Sequence, residues 1–184
     1  MAHVSIIGTG TMAQAIAAVA RKGGSTVDLV RRGDTTPLAG DVVVLAVPYG
    51  AVAEIVAQRG EQLAGKVVVD ITNPVDFETF DSLVVPADSS AAAEIAAALP
   101  AARVVKAFNT TFAGTLTAGT VGDVVTTVLV AGDDAEAKQA VAGIVTAAGL
   151  RAVDAGPLRR ARELEALGRV AIRRRRRSRR STRP

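Results

Sequence analysis

A doubly wound α/β fold, with a mostly parallel sheet and helices on both faces, is what this 184-residue sequence predicts. Three observations lead there. Short β-branched runs recur at 4–7, 27–30, 42–47, 67–69, 104–105 and 125–130, and they read as strands buried on both faces. Alanine-rich segments with helical spacing lie between many of them. A glycine-rich turn joins the first strand to the first helix. Each right-handed crossover returns over the sheet to start the next parallel strand, so repeated alternation builds a parallel sheet.

In chain order, the first strand, Val4-Ser5-Ile6-Ile7, stops at Gly8. Residues 13–21 follow as a helix, because Ala13, Ile16, Ala17 and Ala20 fall on one face at i, i+3, i+4 and i+7. Small alanines let that helix sit close to the sheet. The second strand is 27–30. Only residues 33–40 separate it from the third, 42–47, too few for a crossover helix with its turns, so a loop is expected. Further helices are expected at 51–58, 90–99 and 135–148, the last opened by Asp133-Asp134 near its positive N-terminal end.

Composition narrows the chemistry. With 49% hydrophobic residues the bulk of the chain is too apolar for disorder. The absence of cysteine removes disulfides, thiolate nucleophiles and Cys-ligated metals, and a single histidine, His3, leaves little for imidazole catalysis. No metal site and no catalytic side chain are expected. Met1-Ala2-His3 is not a basic leader and no apolar run approaches the ~18 residues of a membrane span, so a cytoplasmic protein without a membrane partner is expected.

The formal charge of +4 is unevenly placed. Residues 1–158 carry 6 Arg, 4 Lys and 16 acidic residues, net −6, whereas 159–184 carry 12 Arg and only Glu163 and Glu165, net +10. The sequence therefore divides into a folded domain at 1–168 and an arginine-rich tail at 169–184. Self-repulsion in that tail, with 8 arginines and no acid after residue 172, predicts disorder. A nucleic-acid tail and a truncated or out-of-frame end are both open readings of it. No base-stacking aromatic accompanies the arginines, so nucleic acid ranks below small-molecule partners.

The turn Gly8-Thr9-Gly10-Thr11-Met12-Ala13 has the G-x-G-x-x-G/A form and sits between a strand and a helix, the context that gives this short motif its meaning. Gly8 permits the tight turn, Gly10 leaves room for a pyrophosphate, and N–H groups at the helix start bind the anion. A Rossmann-type dinucleotide site is expected. At the end of the second strand an acid would favour NAD and a cation NADP. Asp28 falls short of the strand tip, whereas Arg31 and Arg32 follow it, so NADP(H) is the expected cofactor.

These residues resemble the NADP-dependent coenzyme F420 oxidoreductase family. The likeness runs from Val4 to about Leu167 through Ile7-Gly8-Thr9-Gly10 with Met12, Ala46-Val47-Pro48-Tyr49, Asp70-Ile71-Thr72-Asn73-Pro74, Lys106-Ala107-Phe108-Asn109-Thr110 and Asp154-Ala155-Gly156-Pro157-Leu158. It implies hydride transfer between C5 of reduced F420 and C4 of the nicotinamide of NADP, with F420 as co-substrate and a homodimer as the assembly. By position it puts Thr9, Gly10, Thr11 and Met12 at the pyrophosphate, beside the turn at Gly8, Arg31 and Arg32 at the 2′-phosphate, Val47 and Pro48 beside the ribose or nicotinamide, and Asn73 and Ala107 at the nicotinamide. Read alone, Pro48 is also a strand stop, Asn73-Pro74 a turn, Lys106 a solvated charge and Tyr49 a core residue. Two rival functions share part of these features: an NADPH-binding relative with another acceptor or a sensing role, and a lower-ranked nucleic-acid association through the tail. The sequence departs from the family twice. The short 33–40 link omits a helix and a basic residue beside the adenosine phosphate. The stretch from Gly168 onward replaces a hydrophobic segment, implying an incomplete wall for the second substrate.

Overall fold

In a computed structural model, which describes residues 1–31 and 33–181 and their side chains as far as Arg173, seven strands form one sheet in the order β2-β1-β3-β4-β5-β8-β9. They are β1 (His3–Ile7), β2 (Thr26–Val30), β3 (Val42–Leu45), β4 (Val67–Asp70), β5 (Arg103–Ala107), β8 (Thr127–Gly132) and β9 (Arg151–Gly156). All neighbours are parallel except β5 and β8. The reversal follows from the connection. After β5 the chain passes through a one-and-a-half-turn helix, α4 (Ala113–Ala118), and a two-stranded ribbon of β6 (Thr120–Val121) and β7 (Val124–Val125), and no long crossover returns it to the starting edge.

The remaining helices are α1 (Thr11–Lys22), α2 (Val52–Leu63), α3 (Ala91–Ala98), α5 (Ala135–Ala147) and α6 (Ala161–Ser181). Successive residues of β3 show why both faces are covered. Val42 and Val44 join the core under α1 and α5 with Ile16, Ala17, Val141 and Val145, while Val43 and Leu45 join the core under α2 and α3 with Leu63, Ile95 and Leu99. Starts of helices follow the expected chemistry. The Ser90 side chain accepts from Ala93 N at the head of α3, and that of Asp134 accepts from Ala137 N at the head of α5.

Strand and helix therefore alternate as the sequence predicts, and residues 33–40 form no helix. The third strand ends at Leu45, two residues early, so Ala46-Val47-Pro48 leave the sheet. Strand β9 and helices α4 and α6 add elements that the β-branched runs do not announce. Helix α6 runs without interruption to Ser181, and the 168/169 boundary falls inside it. Its first half has an apolar face: Ala161 and Leu164 are buried, as is Leu158 in the preceding turn, and charge counting overlooks that spacing. Residues 182–184 of the expected tail lie outside the described residues.

A polar cluster lies inside this core. Lys106 on β5 is fully buried, and its ammonium donates to Asp70 Oδ2 at 2.7 Å, to the Thr72 carbonyl at 2.6 Å and to Glu165 Oε1 at 2.7 Å. Asp70 and Lys106 face each other in the β4–β5 ladder, whereas Glu165 arrives from α6. The Glu165 carboxylate also accepts from Ala91 N and Ala92 N at the start of α3. Lys106 is thus a buried cation and not the solvated charge that its motif also allows.

Removing the cation leaves two carboxylates buried without it. Lys106→Met should lower the unfolding free energy by about 3–5 kcal/mol, read by urea denaturation. Burial pushes the Glu165 carboxyl above its ordinary range, with Lys106 partly opposing it. The folded state then holds this proton more tightly than the unfolded state, so the contribution of Glu165 to stability falls as pH rises from the ordinary glutamate value through the raised one. The stability difference between the natural chain and Glu165→Gln should shrink over that interval; a pH-independent difference would assign the proton elsewhere.

Candidate functional site

In the sheet order β2-β1-β3-β4 the chain runs outward from β1 to β2 and then crosses back to β3 on the other side of β1, so a crevice opens beyond the C-terminal ends of β1 and β3. A cavity of about 340 Å³ lies there, lined by Gly8, Thr9 and Gly10, by Arg31, Gly33 and Asp34 after β2, by Val47 and Pro48 after β3, and by one face of α2. Six residues expected from the sequence, Gly8, Thr9, Gly10, Arg31, Val47 and Pro48, meet in this one space. Arg32 lies outside the described residues. Asp28 points elsewhere: it pairs with His3 across the β1–β2 ladder.

The turn before α1 is shaped by contact. Gly8 has φ +122°, and a Cβ there would stand 2.2 Å from the Ala46 carbonyl oxygen. The chain can leave β1 beside β3 only with hydrogen at that position. A Cβ on Gly10 would meet nothing within 4 Å. Gly10 is also the N-cap of α1, no side chain caps that end and no acid stands in its first turn, so the helix start is open to an anion.

Ala51, just before α2, and Glu54, Ile55, Gln58 and Arg59 on it form the far wall. Their spacing of three and four residues was the available signal, although the expected helix stopped at residue 58. Arg59 is 7% exposed and donates through Nη1 to the Thr36 carbonyl at 2.9 Å. Glu54 accepts from Gln58 Nε2 at 3.1 Å. Hydrogen bonds from the Thr36 hydroxyl and amide hold the Asp34 carboxyl below the usual carboxylate range, with Arg59 and Arg31 adding to the effect.

A second, smaller cavity of about 140 Å³ opens at the ends of β4 and β5. Met12, Ile71, Asn73, Phe108, Asn109, three further residues of 110–112, and Gly168, Ala171 and Ile172 of α6 line it. Met12 and Asn73 therefore occupy this space and not the first. Ala107 lines neither cavity and is fully buried in the core, while Thr11 is exposed on the first turn of α1. Phe108, buried with φ +62°, turns the chain sharply, a conformation that costs a bulky residue ~1–3 kcal/mol. That turn brings Asn109 to Asn73. Asn73 Nδ2 donates to the Asn109 carbonyl at 2.9 Å, and Asn109 Nδ2 donates to Asn73 Oδ1 at 3.0 Å and to the Leu164 carbonyl at 2.9 Å.

Helix α6 forms one wall of this cavity, through Gly168, Ala171 and Ile172. Gly168 is required for the fit, since a Cβ there would lie 2.2 Å from Asn73 Oδ1. No residue lining the small cavity carries a titratable side chain. Tyr49 stands apart from both spaces, in a 3₁₀ turn before α2, where its hydroxyl donates to the Glu94 carboxylate. Burial, followed by that carboxylate, pushes its pKa up to about 12. Among the described residues no cluster of His, Cys, Asp or Glu is arranged to hold a metal ion, and no helix is long and apolar enough to cross a membrane.

Residues 36–74, from the link through β3 and α2 to Asn73-Pro74, match the family described as NADP oxidoreductase, coenzyme F420-dependent. The chain is 35% identical over 132 residues to the F420-dependent NADP reductase of Methanocaldococcus jannaschii. It also resembles the solved structure of a proposed F420-dependent NADP-reductase from Arthrobacter sp. FB24, with a TM-score of 0.82 and 28% identity over 94% of this chain and 93% of that one. By these likenesses the chain resembles the F420-dependent NADP oxidoreductases. A further relative, the Metalloreductase STEAP3 of Rattus norvegicus, is 41% identical over 107 residues. These matches take in 70% and 58% of this chain, but they span only 59% of the M. jannaschii reductase and 21% of the rat metalloreductase.

The two glycines of the turn before α1 should separate folding from binding. Gly8→Ala is expected to lower stability by ~1–3 kcal/mol or more, because both the backbone conformation and the Ala46 contact oppose it. Gly10→Ala should stay within about 1 kcal/mol of the natural chain, while its added methyl keeps a dinucleotide from the backbone. Thermal unfolding and an NADPH titration of the same two variants read both effects.

Proposed function

We propose that this chain is an oxidoreductase that binds NADP(H) in the larger cavity and transfers hydride between reduced coenzyme F420 and NADP, in the cytoplasm. One observation carries the cofactor reading: the uncapped start of α1 opens into the same space as Arg31. The residues present fit the group, since the anion-binding N–H groups are free of a side-chain cap and Gly10 leaves the approach clear.

In this reading Thr9, Gly10, Thr11 and Met12 hold the pyrophosphate, and Arg31 and Arg32 the 2′-phosphate. Val47 and Pro48 pack beside the ribose, and Asn73 with the strand end at Ala107 borders the nicotinamide. When bound, NADP supplies the C4 position that accepts hydride from C5 of reduced F420, giving NADPH, oxidised F420 and one proton. The protein's share is orientation and exclusion of water. The small cavity suits that share, because its lining has no acid or base and the reaction asks for none. Its walls are held by the Asn73–Asn109 pair and closed by α6.

A second reading keeps the NADPH site and changes the acceptor. The likeness to a metalloreductase favours it. NADPH oxidation with F420 as the sole acceptor, run beside a metal chelate as sole acceptor, separates the two. Turnover with F420 is expected; turnover with the chelate alone would move the chain to the second reading, and NADPH binding without either would make it a sensor. Arg31→Ala should weaken NADPH binding by about 10- to 100-fold, the worth of a charge-assisted hydrogen bond, and leave NADH binding within about twofold. An equal loss for both dinucleotides would remove Arg31 from the 2′-phosphate.

A further inference from the structure

We infer that Arg59, from α2, is a specificity-determining contact for the 2′-phosphate of NADP, standing in for the basic residue that the short 33–40 link lacks. The inference deepens the NADP(H) reading above and rests on it. Arg59 lines the same cavity as Gly8, Gly10 and Arg31. Its Nη1 is used by the Thr36 carbonyl, whereas its Nη2 is buried and has no hydrogen-bond partner among the described residues. A buried guanidinium nitrogen without an acceptor is costly, and a phosphate oxygen is the acceptor that a planar fork recognises best.

The surroundings support a cation held ready. Thr36 is fixed from the other side, since its amide and hydroxyl both donate to Asp34 Oδ1, at 2.8 and 2.6 Å. Leu38 N donates to Gln62 Oε1 at 3.1 Å, so the link is tied to α2 at two points, one of them Arg59 itself. The loop therefore sets the guanidinium plane while leaving one edge unused. Two carboxylates also line the cavity. Asp34 is turned into its own loop by Thr36, and Glu54 is engaged with Gln58, so neither takes the unused nitrogen. Arg31 reaches the cavity from the end of β2 and Arg59 from α2, which places cations on two walls.

The alternative is that Arg59 is only a strut for the link. The two roles differ in selectivity, so the test uses fragments of the cofactor that do not touch the nicotinamide end. Calorimetric titration of the full chain with 2′,5′-ADP and with 5′-ADP, for the natural chain, Arg59→Lys and Arg59→Met, reads the 2′-phosphate contribution as a ratio of affinities. In Arg59→Met the preference for 2′,5′-ADP is expected to fall about 10-fold or more, with 5′-ADP affinity changed by less than about twofold. Arg59→Lys, which keeps the charge and loses the fork, should recover part of the preference. Thermal unfolding of the three chains accompanies the titrations. An unchanged ratio in Arg59→Met, whatever its stability, or an equal loss for both fragments, overturns this inference and leaves the cofactor reading standing. A natural chain that binds neither fragment nor NADPH overturns both.

Discussion

One buried ammonium group holds the central elements in place. Lys106 has three N–H donors, and the fold gives it three acceptors from the end of β4, the loop after it and a distant helix: Asp70, the Thr72 carbonyl and Glu165. Desolvating a cation and two carboxylates is unfavourable, and the arrangement offsets that cost only when all three are present in this geometry. The cluster is therefore a condition on assembly. Strands β4 and β5 must be in register, α6 must be seated, and through Glu165 the first turn of α3 must lie against it.

The crevice inherits this geometry. Residues immediately after Asp70 and Lys106 lead out of the sheet, and they form the walls of the small cavity. The αL turn at Phe108 is tolerated because the backbone before it is fixed by Lys106 and the chain after it is fixed by the Asn73–Asn109 exchange. Helix α6 then closes over the pair, with Gly168 against the Asn73 side chain and the Leu164 carbonyl accepting from Asn109. A charge cluster in the core and an amide pair at the surface of the crevice are two stages of one construction.

Much of this was legible in the sequence, for local reasons. Runs such as Val42-Val43-Val44-Leu45 have no polar face, which in a chain of this size means a strand covered on both sides, and the glycine turn declares its own flanking strand and helix. What escaped detection was set by partners far away. Lys106 looks like an ordinary charge because its partners lie 34, 36 and 59 residues distant. Arg59 sits beyond the expected end of a helix, on a face whose importance depends on a loop 23 residues earlier. Strand β9 is half-buried along its length, and α6 hides an apolar face within a basic composition.

The link between β2 and β3 gives the molecule a modular character. It crosses from Gly33 to Gly40 without regular structure, and side-chain hydrogen bonds tie it to α2, to Lys66 through the Gly40 carbonyl and to the Ser5 hydroxyl through Gly40 N. The sheet's register is established by other residues, chiefly the valine ladders and the Lys106 cluster. Leu38 is anchored in the core and Gly40 against β1, but residues 33–37 can be exchanged for a stretch of different length or charge with the seven strands untouched, which makes dinucleotide preference a trait that evolution or an engineer can alter independently of the scaffold.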